Sequence, residues 1–257
     1  MHAIVQTPPS RHSPLRSYRL EAKYEFLRLL RTPIFALPTI LFPALFYLLF
    51  GVVLGSRGDG NAAQYLLATY GVFGVMGAAL FGFGVTVAIE RDQGLLALKR
   101  ALPMPPGAYL LAKMAMAMLF SAIVSLLLAL LAFTLAKVAL APWQWALLFV
   151  VDVLGALPFC AIGLYLGTLA SGSGAPAVVN LIYLPMAFLS GLWIPLSMLP
   201  GVFATIAPAW PAFHLGQVAL KVVGMDAGGS LAVHLGVLAV VAVAFFVLAR
   251  ARLQRSG

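Results

Sequence analysis

The chain has 257 residues, of which 63% are hydrophobic and only 9% charged, and its mean hydropathy is +1.03. Soluble domains carry about 25% charged residues, so this chain cannot cover itself with polar surface, and lipid must be its main solvent. A net charge of +9 raises nucleic acid as a partner, but the cations gather at the two ends and in one loop, which excludes that reading.

A hydrocarbon core of about 30 Å needs about 20 apolar residues of helix at ~1.5 Å per residue. The first element falls short of that. Residues 16–32 carry Leu20, Tyr24, Leu27 and Leu30 at helical spacing, with Arg19, Lys23 and Arg31 off the stripe. This predicts an amphipathic helix lying on a membrane surface, ended at Thr32-Pro33. The first apolar run starts only after this polar and basic stretch and lacks a small-x-small site at its end, so a cleaved signal peptide is not expected.

Six spans follow: Pro33 to Gly55, Ala62 to Ile89, Gly107 to Ala136, Pro142 to Ala170, Ala175 to Leu196 and Ser230 to Ala249. The third and fourth exceed the minimum and are expected to tilt or protrude. Thirteen of the sixteen lysines and arginines lie before the first span, around the second-to-third loop (Lys113 counted with it) or after the sixth, and only Arg57, Lys137 and Lys221 lie opposite. The bias predicts both termini in the cytoplasm, which requires an even number of spans. The four tryptophans, Trp143, Trp145, Trp193 and Trp210, fall at or near the outer ends, where indole rings favour the interface.

Within the second and fourth spans, Gly71, Gly74, Gly77, Gly163 and Gly167 allow close helix approach. Packing inside the chain is the favoured reading and a dimer seam the alternative. The loop at 90–106 opens on Glu90, Arg91 and Asp92, turns at Gly94, continues as a short apolar and basic stretch and stops at Pro103, Pro105 and Pro106. A short surface helix of this kind suits docking into a groove on a partner, or, read plainly, a basic loop on anionic lipid. Asp152, ten residues into the fourth span, is expected to face the bundle interior, since a mid-bilayer carboxylate costs at least about 2.5–3.5 kcal/mol. It reads either as a contact on a substrate or proton path or as an interhelical hydrogen bond, with His234 and Asn180 its candidate partners at depth. Pro185 suggests a kink beside Asn180. The lone Cys160 reads as a core residue and rules out an intrachain disulfide or a multi-cysteine metal site. Residues 197–228, apolar but broken by Pro200, Pro208 and Pro211, predict a re-entrant or interfacial helical hairpin.

No catalytic motif stands out. No Gly-Lys dipeptide occurs, hence no Walker A loop, and neither HExxH nor GxSxG is present. No catalytic residue, metal ligand or enzymatic activity is therefore assigned.

Taken in order, these elements resemble the membrane subunit of a type-2 ATP-binding-cassette (ABC-2) exporter. Glu90, Gly94, Leu95, Leu98 and Pro103 match the coupling-helix loop of that family. Gly191 and Pro195, then Leu199, Pro200, Pro208 and Pro211, match its outer hairpin. The resemblance covers about Leu15 to Leu253 and implies a single all-α transmembrane domain over 1–257: an interfacial helix, six spans, a coupling helix and an extracellular hairpin. It further implies a permease of a bacterial inner membrane, paired with a second identical or related copy and surrounded by lipid. Residues 90–103 would dock a separate cytoplasmic ATPase that holds the ATP and magnesium, and the cargo would be hydrophobic or amphiphilic, such as a drug or lipid, exported through a path near Asp152 and Asn180. The competing reading is a proton-coupled secondary transporter built on Asp152. A membrane enzyme or scaffold has no motif behind it.

Overall fold

The computed structural model describes residues 14–55, 61–96, 98 and 107–255. Among them the secondary structure is helical throughout, without a strand. We number the helices α1 (Pro14–Leu30), α2 (Pro33–Leu54), α3 (Asn61–Asp92), α4 (Ala108–Thr134), α5 (Pro142–Leu169), α6 (Ala175–Leu189), α7 (Gly201–Ile206), α8 (Pro211–Val223) and α9 (Leu231–Arg255). Five of these, α2, α3, α4, α5 and α9, are long and apolar enough to cross a membrane. The chain is thus an all-α membrane protein.

Thr32 leaves the helical region (φ −103°, ψ 92°) and Pro33 takes the first position of α2. There its fixed φ is favourable and its missing N–H costs nothing, so the surface helix stops where the sequence predicts. The apolar stripe of α1 turns away from the protein: Leu20, Tyr24 and Leu30 are exposed, whereas Glu25 and Leu29 are buried. Phe26 of α1 and Phe35 of α2 both pack on Phe120 of α4, at centroid distances of 5.3 and 5.2 Å.

Helix α3 is the axis of the bundle, with 83% of its apolar window buried. Its Leu80–Val85 segment widens into π-helical turns, where Gly84 meets Gly163 and Gly167 of α5. A methyl on Gly167 would stand 2.7 Å from the Gly84 carbonyl oxygen. Gly71, Gly74 and Gly77 face Asp152, Val124 and Tyr183 respectively. The glycine rows therefore pack helices within one chain.

Three spans differ from expectation, the sixth by continuing past Ala249 as α9 to Arg255. Helix α3 continues through Glu90 to Asp92, because the Glu90 carboxylate is paired inside the fold and gives the helix no reason to stop. The end comes at Gly94, whose left-handed backbone (φ +72°) an L-residue rarely adopts. The expected fifth span, Ala175 to Leu196, is helical only to Leu189. Its 15 residues rise about 22 Å, short of a full crossing, and the chain then turns at Gly191 (φ +74°) toward Pro195. Pro185 sits inside α6 without ending it.

Beyond α6, residues 197–228 form the short helix α7, a tight turn at Ala207–Ala209 and the helix α8. The Leu215 side chain of α8 lies against Gly155 of α5, while the Val222 carbonyl accepts from Gln144 Nε2 at 2.7 Å. Gln144 and Gly155 are separated by about 16 Å along α5, so α8 climbs from well inside the bundle to its end, as in a re-entrant hairpin.

Candidate functional site

The segments richest in charge meet at one end of the bundle. Lys113, one turn into α4, is wholly buried. Its Nζ donates to Glu25 Oε1 of α1 at 2.5 Å, to Thr86 Oγ1 of α3 at 2.8 Å and to Glu90 Oε1 at 3.2 Å, which uses all three ammonium hydrogens. Arg28 donates through Nη2 to Glu25 Oε1 at 2.8 Å and also to Glu90 Oε1. Tyr109 OH donates to Glu90 Oε2 at 2.6 Å. Two carboxylates and two cations make the cluster neutral, and each is supplied with charge-assisted hydrogen bonds, the condition under which buried charge is tolerated. Burial works against the Arg28 charge, but Glu25 and Glu90 more than offset it and hold its pKa above the ordinary guanidinium value.

The next turn is clamped as well. Arg91 donates to the carbonyls of Gly167, Thr168 and Ala170, satisfying the orphan acceptors at the end of α5. Asp92 Oδ2 accepts the Gly172 N–H at 2.5 Å. Thus α1, α3, α4, α5 and the loop into α6 are tied at the point where the 90–106 loop leaves α3. Beyond this frame Gly94 has no neighbour that a side chain would touch, Leu95 is half-buried, and Leu98 is 60% exposed. Pro103, with Lys99, Arg100, Pro105 and Pro106, lies outside the described residues. Glu90, read from sequence as part of the docking surface, instead points inward and is 2% exposed.

A cavity of about 400 Å³ opens between α2, α3 and α6, walled by Phe46, Phe73, Phe81, Tyr183 and Trp193, with Asn180 its polar side chain from α6. Phe73 and Tyr183 stack at 4.9 Å, and Tyr183 OH donates to the Phe73 carbonyl at 3.1 Å. Such a lining suits an aromatic or aliphatic guest oriented by one amide.

Asp152 is not in it. It is buried between α3, α4 and α5, where Ser125 Oγ donates to its Oδ2 at 2.6 Å and Gly71 leaves it room. Neither Asn180 nor His234 approaches as the sequence suggested. His234 pairs with His214 of α8, Nδ1 to Nδ1 at 2.9 Å, and His214 Nε2 lies 2.9 Å from the Pro208 carbonyl.

Of the hairpin residues, Gly191 makes the turn after α6 and its carbonyl accepts from Tyr65 OH at 2.7 Å. Pro195 and Pro200 precede a 3₁₀ turn and α7, Pro208 lies in the turn before α8, and Pro211 begins α8.

Reading by composition missed the inner cluster because Lys113 was counted among the loop charges. The missed signal was its position. A lysine one turn inside an apolar helix needs a counter-ion, and Glu25 and Glu90 were the acidic residues on that side able to reach it.

A family model described as "ABC-2 type transporter" matches residues 16–223 of this chain. That stretch runs from the surface helix to the end of α8. The chain is also 29% identical over 201 residues to YvfS of Bacillus subtilis, a protein assigned by inference as a transport permease. The alignment covers 77% of this chain and 82% of that protein.

Proposed function

This chain belongs to the ABC-2 type transporter family, and from that premise we propose that it is the permease of an ATP-driven exporter of hydrophobic or amphiphilic solutes. Family membership implies a partner ATPase. In our reading that partner is a separate cytoplasmic chain that holds ATP and magnesium, seats the 90–106 loop and carries out all the hydrolysis. The permease itself is a transport subunit and not an enzyme.

One observation carries the proposal: the loop that exposes Leu98 springs from a charge-locked frame of five segments. A push on the loop would reach α1 through Arg28, α4 through Lys113 and Tyr109, and α5 through Arg91. Because α3 also forms a wall of the aromatic cavity, displacement of its inner end would change the volume offered to a guest. The cavity around Asn180 is the proposed cargo site. Its lining favours an apolar or amphiphilic guest, and a second permease copy, identical or related, would complete the path.

In our reading the frame faces the cytoplasm of a bacterial cell, with both termini on that side of the inner membrane, which the cation bias of the sequence supports. Short α6 and the α7–α8 hairpin together make the fifth of six crossings in this reading. The proton-coupled alternative is the second reading, since Asp152 is hydrogen-bonded to Ser125 and does not line the aromatic cavity. Asp152→Asn is expected to leave ATP-coupled transport in place.

The test is co-expression with candidate ABC ATPase chains from the same genome, any encoded next to the permease first. The two chains should co-purify, and hydrolysis should rise when they are reconstituted together. Leu98→Asp, which places a charge on the exposed docking residue, should reduce complex recovery by at least about tenfold while the permease remains folded. Absence of any complex with the unmodified chain would end the proposal.

A further inference from the structure

Helix α9 is the most thinly held of the spans, with 11% of its apolar window buried. It packs on α5 and α8, with Phe245 edge-on to Tyr165 at 5.6 Å. Helix α4 packs on the other flank of α5. Between α4 and α9 the surface sinks into a groove of about 380 Å³, its floor formed by Cys160, Ala161 and Leu164 of α5 and its walls by Met114 of α4 and Val243 and Phe246 of α9. The small side chains of Cys160 and Ala161 make the depth. The groove is almost wholly apolar, so water would be poorly accommodated there, and an aliphatic chain would fill it well.

Along α9, Val243, Phe246 and Arg250 share one face, at spacings of three and four residues. Arg250 is exposed and makes no ion pair among the described residues. It lies 19 residues beyond Leu231, about 29 Å along the helix, a distance that carries its guanidinium from one edge of the hydrocarbon to the headgroup layer of the other. From Leu235 to Ala249, α9 carries no polar side chain, only aliphatic residues, two phenylalanines, Gly236 and alanines, so Arg250 is the polar group nearest the groove on that face. A cation at the mouth of an apolar trough complements a ligand with an anionic head and an aliphatic tail.

We propose that the α4–α9 groove is a binding seat for an anionic phospholipid, one acyl chain lying over Cys160 and Ala161 and the phosphate held by Arg250. The inference goes beyond the transport reading and does not depend on it. The lipid would fill the gap beside α9 and stabilise a span that otherwise has two neighbours.

The experiment uses the full-length chain in non-ionic detergent, titrated with dioleoyl phosphatidylglycerol or dioleoyl phosphatidylcholine. Retained lipid is counted by native mass spectrometry, with thermal unfolding alongside. The unmodified chain should retain phosphatidylglycerol about fivefold more than phosphatidylcholine, the preference one surface arginine supplies, and should melt at a higher temperature with it. Arg250→Gln should bring the two lipids level. Val243→Trp, at an exposed position where folding tolerates bulk, should lower retention of both. Equal retention of the two lipids by the unmodified chain would overturn the proposal, as would full phosphatidylglycerol retention by both variants. A dimer dissociated by Val243→Trp would assign the groove to a second copy and overturn it too. No ATPase is present, so failure here is separable from failure of the permease reading.

Discussion

Lys113 illustrates how a single side chain can organise several helices. It is wholly buried and survives there as a charge because Glu25, Thr86 and Glu90 take its three hydrogens. Replacing a buried ion pair outright is often tolerated, whereas deleting one partner leaves the other uncompensated, at about 3–5 kcal/mol. Lys113→Met should therefore lower the thermal unfolding temperature sharply in detergent and uncouple ATPase activity from transport. Adding Glu25→Gln should recover part of the loss, because the abandoned carboxylate is then neutral. If the single variant melts like the parent, the cluster does not hold the bundle. These residues were only half legible in the sequence. Asp152 stood out as an isolated acid in an apolar run, and its burial was foreseen, but Ser125 and Gly71 are partners that no local pattern announces. Glu90 was recognised by its place in a motif, yet which way it points depends on Arg28 and Lys113, distant in sequence and joined only by packing.

At the scale of the elements, periodicity and length were more informative. The surface helix ends at Thr32-Pro33 as its sequence requires, and four of the long spans lie within a few residues of their expected bounds. Helix α6 departs because apolar character continues past Leu189, while backbone geometry does not. Hydropathy cannot see that Gly191 is left-handed, or that Tyr65 reaches across to its carbonyl. A side chain at Gly191 would also stand 2.7 Å from Leu196 Cγ. Gly191→Ala should thus cost at least about 1–2 kcal/mol for the backbone alone, read as a lower unfolding temperature and faster proteolysis of the hairpin. An unchanged stability would mean that the turn is loosely held. The hairpin itself was legible from its prolines, whereas the tie from Gln144 to Val222, which seats α8 against the end of α5, was not.

Considered as a whole, the molecule has two unlike ends. One gathers the ion cluster and the Arg91 clamp. The other is closed by uncharged contacts, Gln64 to the Val223 carbonyl and the His214–His234 pair, and by the ion pair Lys221–Asp226. Because α1 and the second half of α9 lie at the same end, single cysteines at Arg19 and Arg252 in a Cys160→Ser background should react with a membrane-impermeant maleimide from the cytoplasmic side. A cysteine at Met198 should react from the opposite side. Labelling of Arg19 and Arg252 positions from opposite faces would break the even-crossing topology. The family and the all-helical membrane fold were accessible from the sequence. The frame beneath the loop was not, since it depends on four helices and the loop into α6 converging.

Helix α1 has a dual allegiance, with Leu20, Tyr24 and Leu30 turned outward and Glu25 held by Lys113. Any tilt of that helix would therefore be felt, through Glu25 and Lys113, at the base of the very loop that Leu98 crowns.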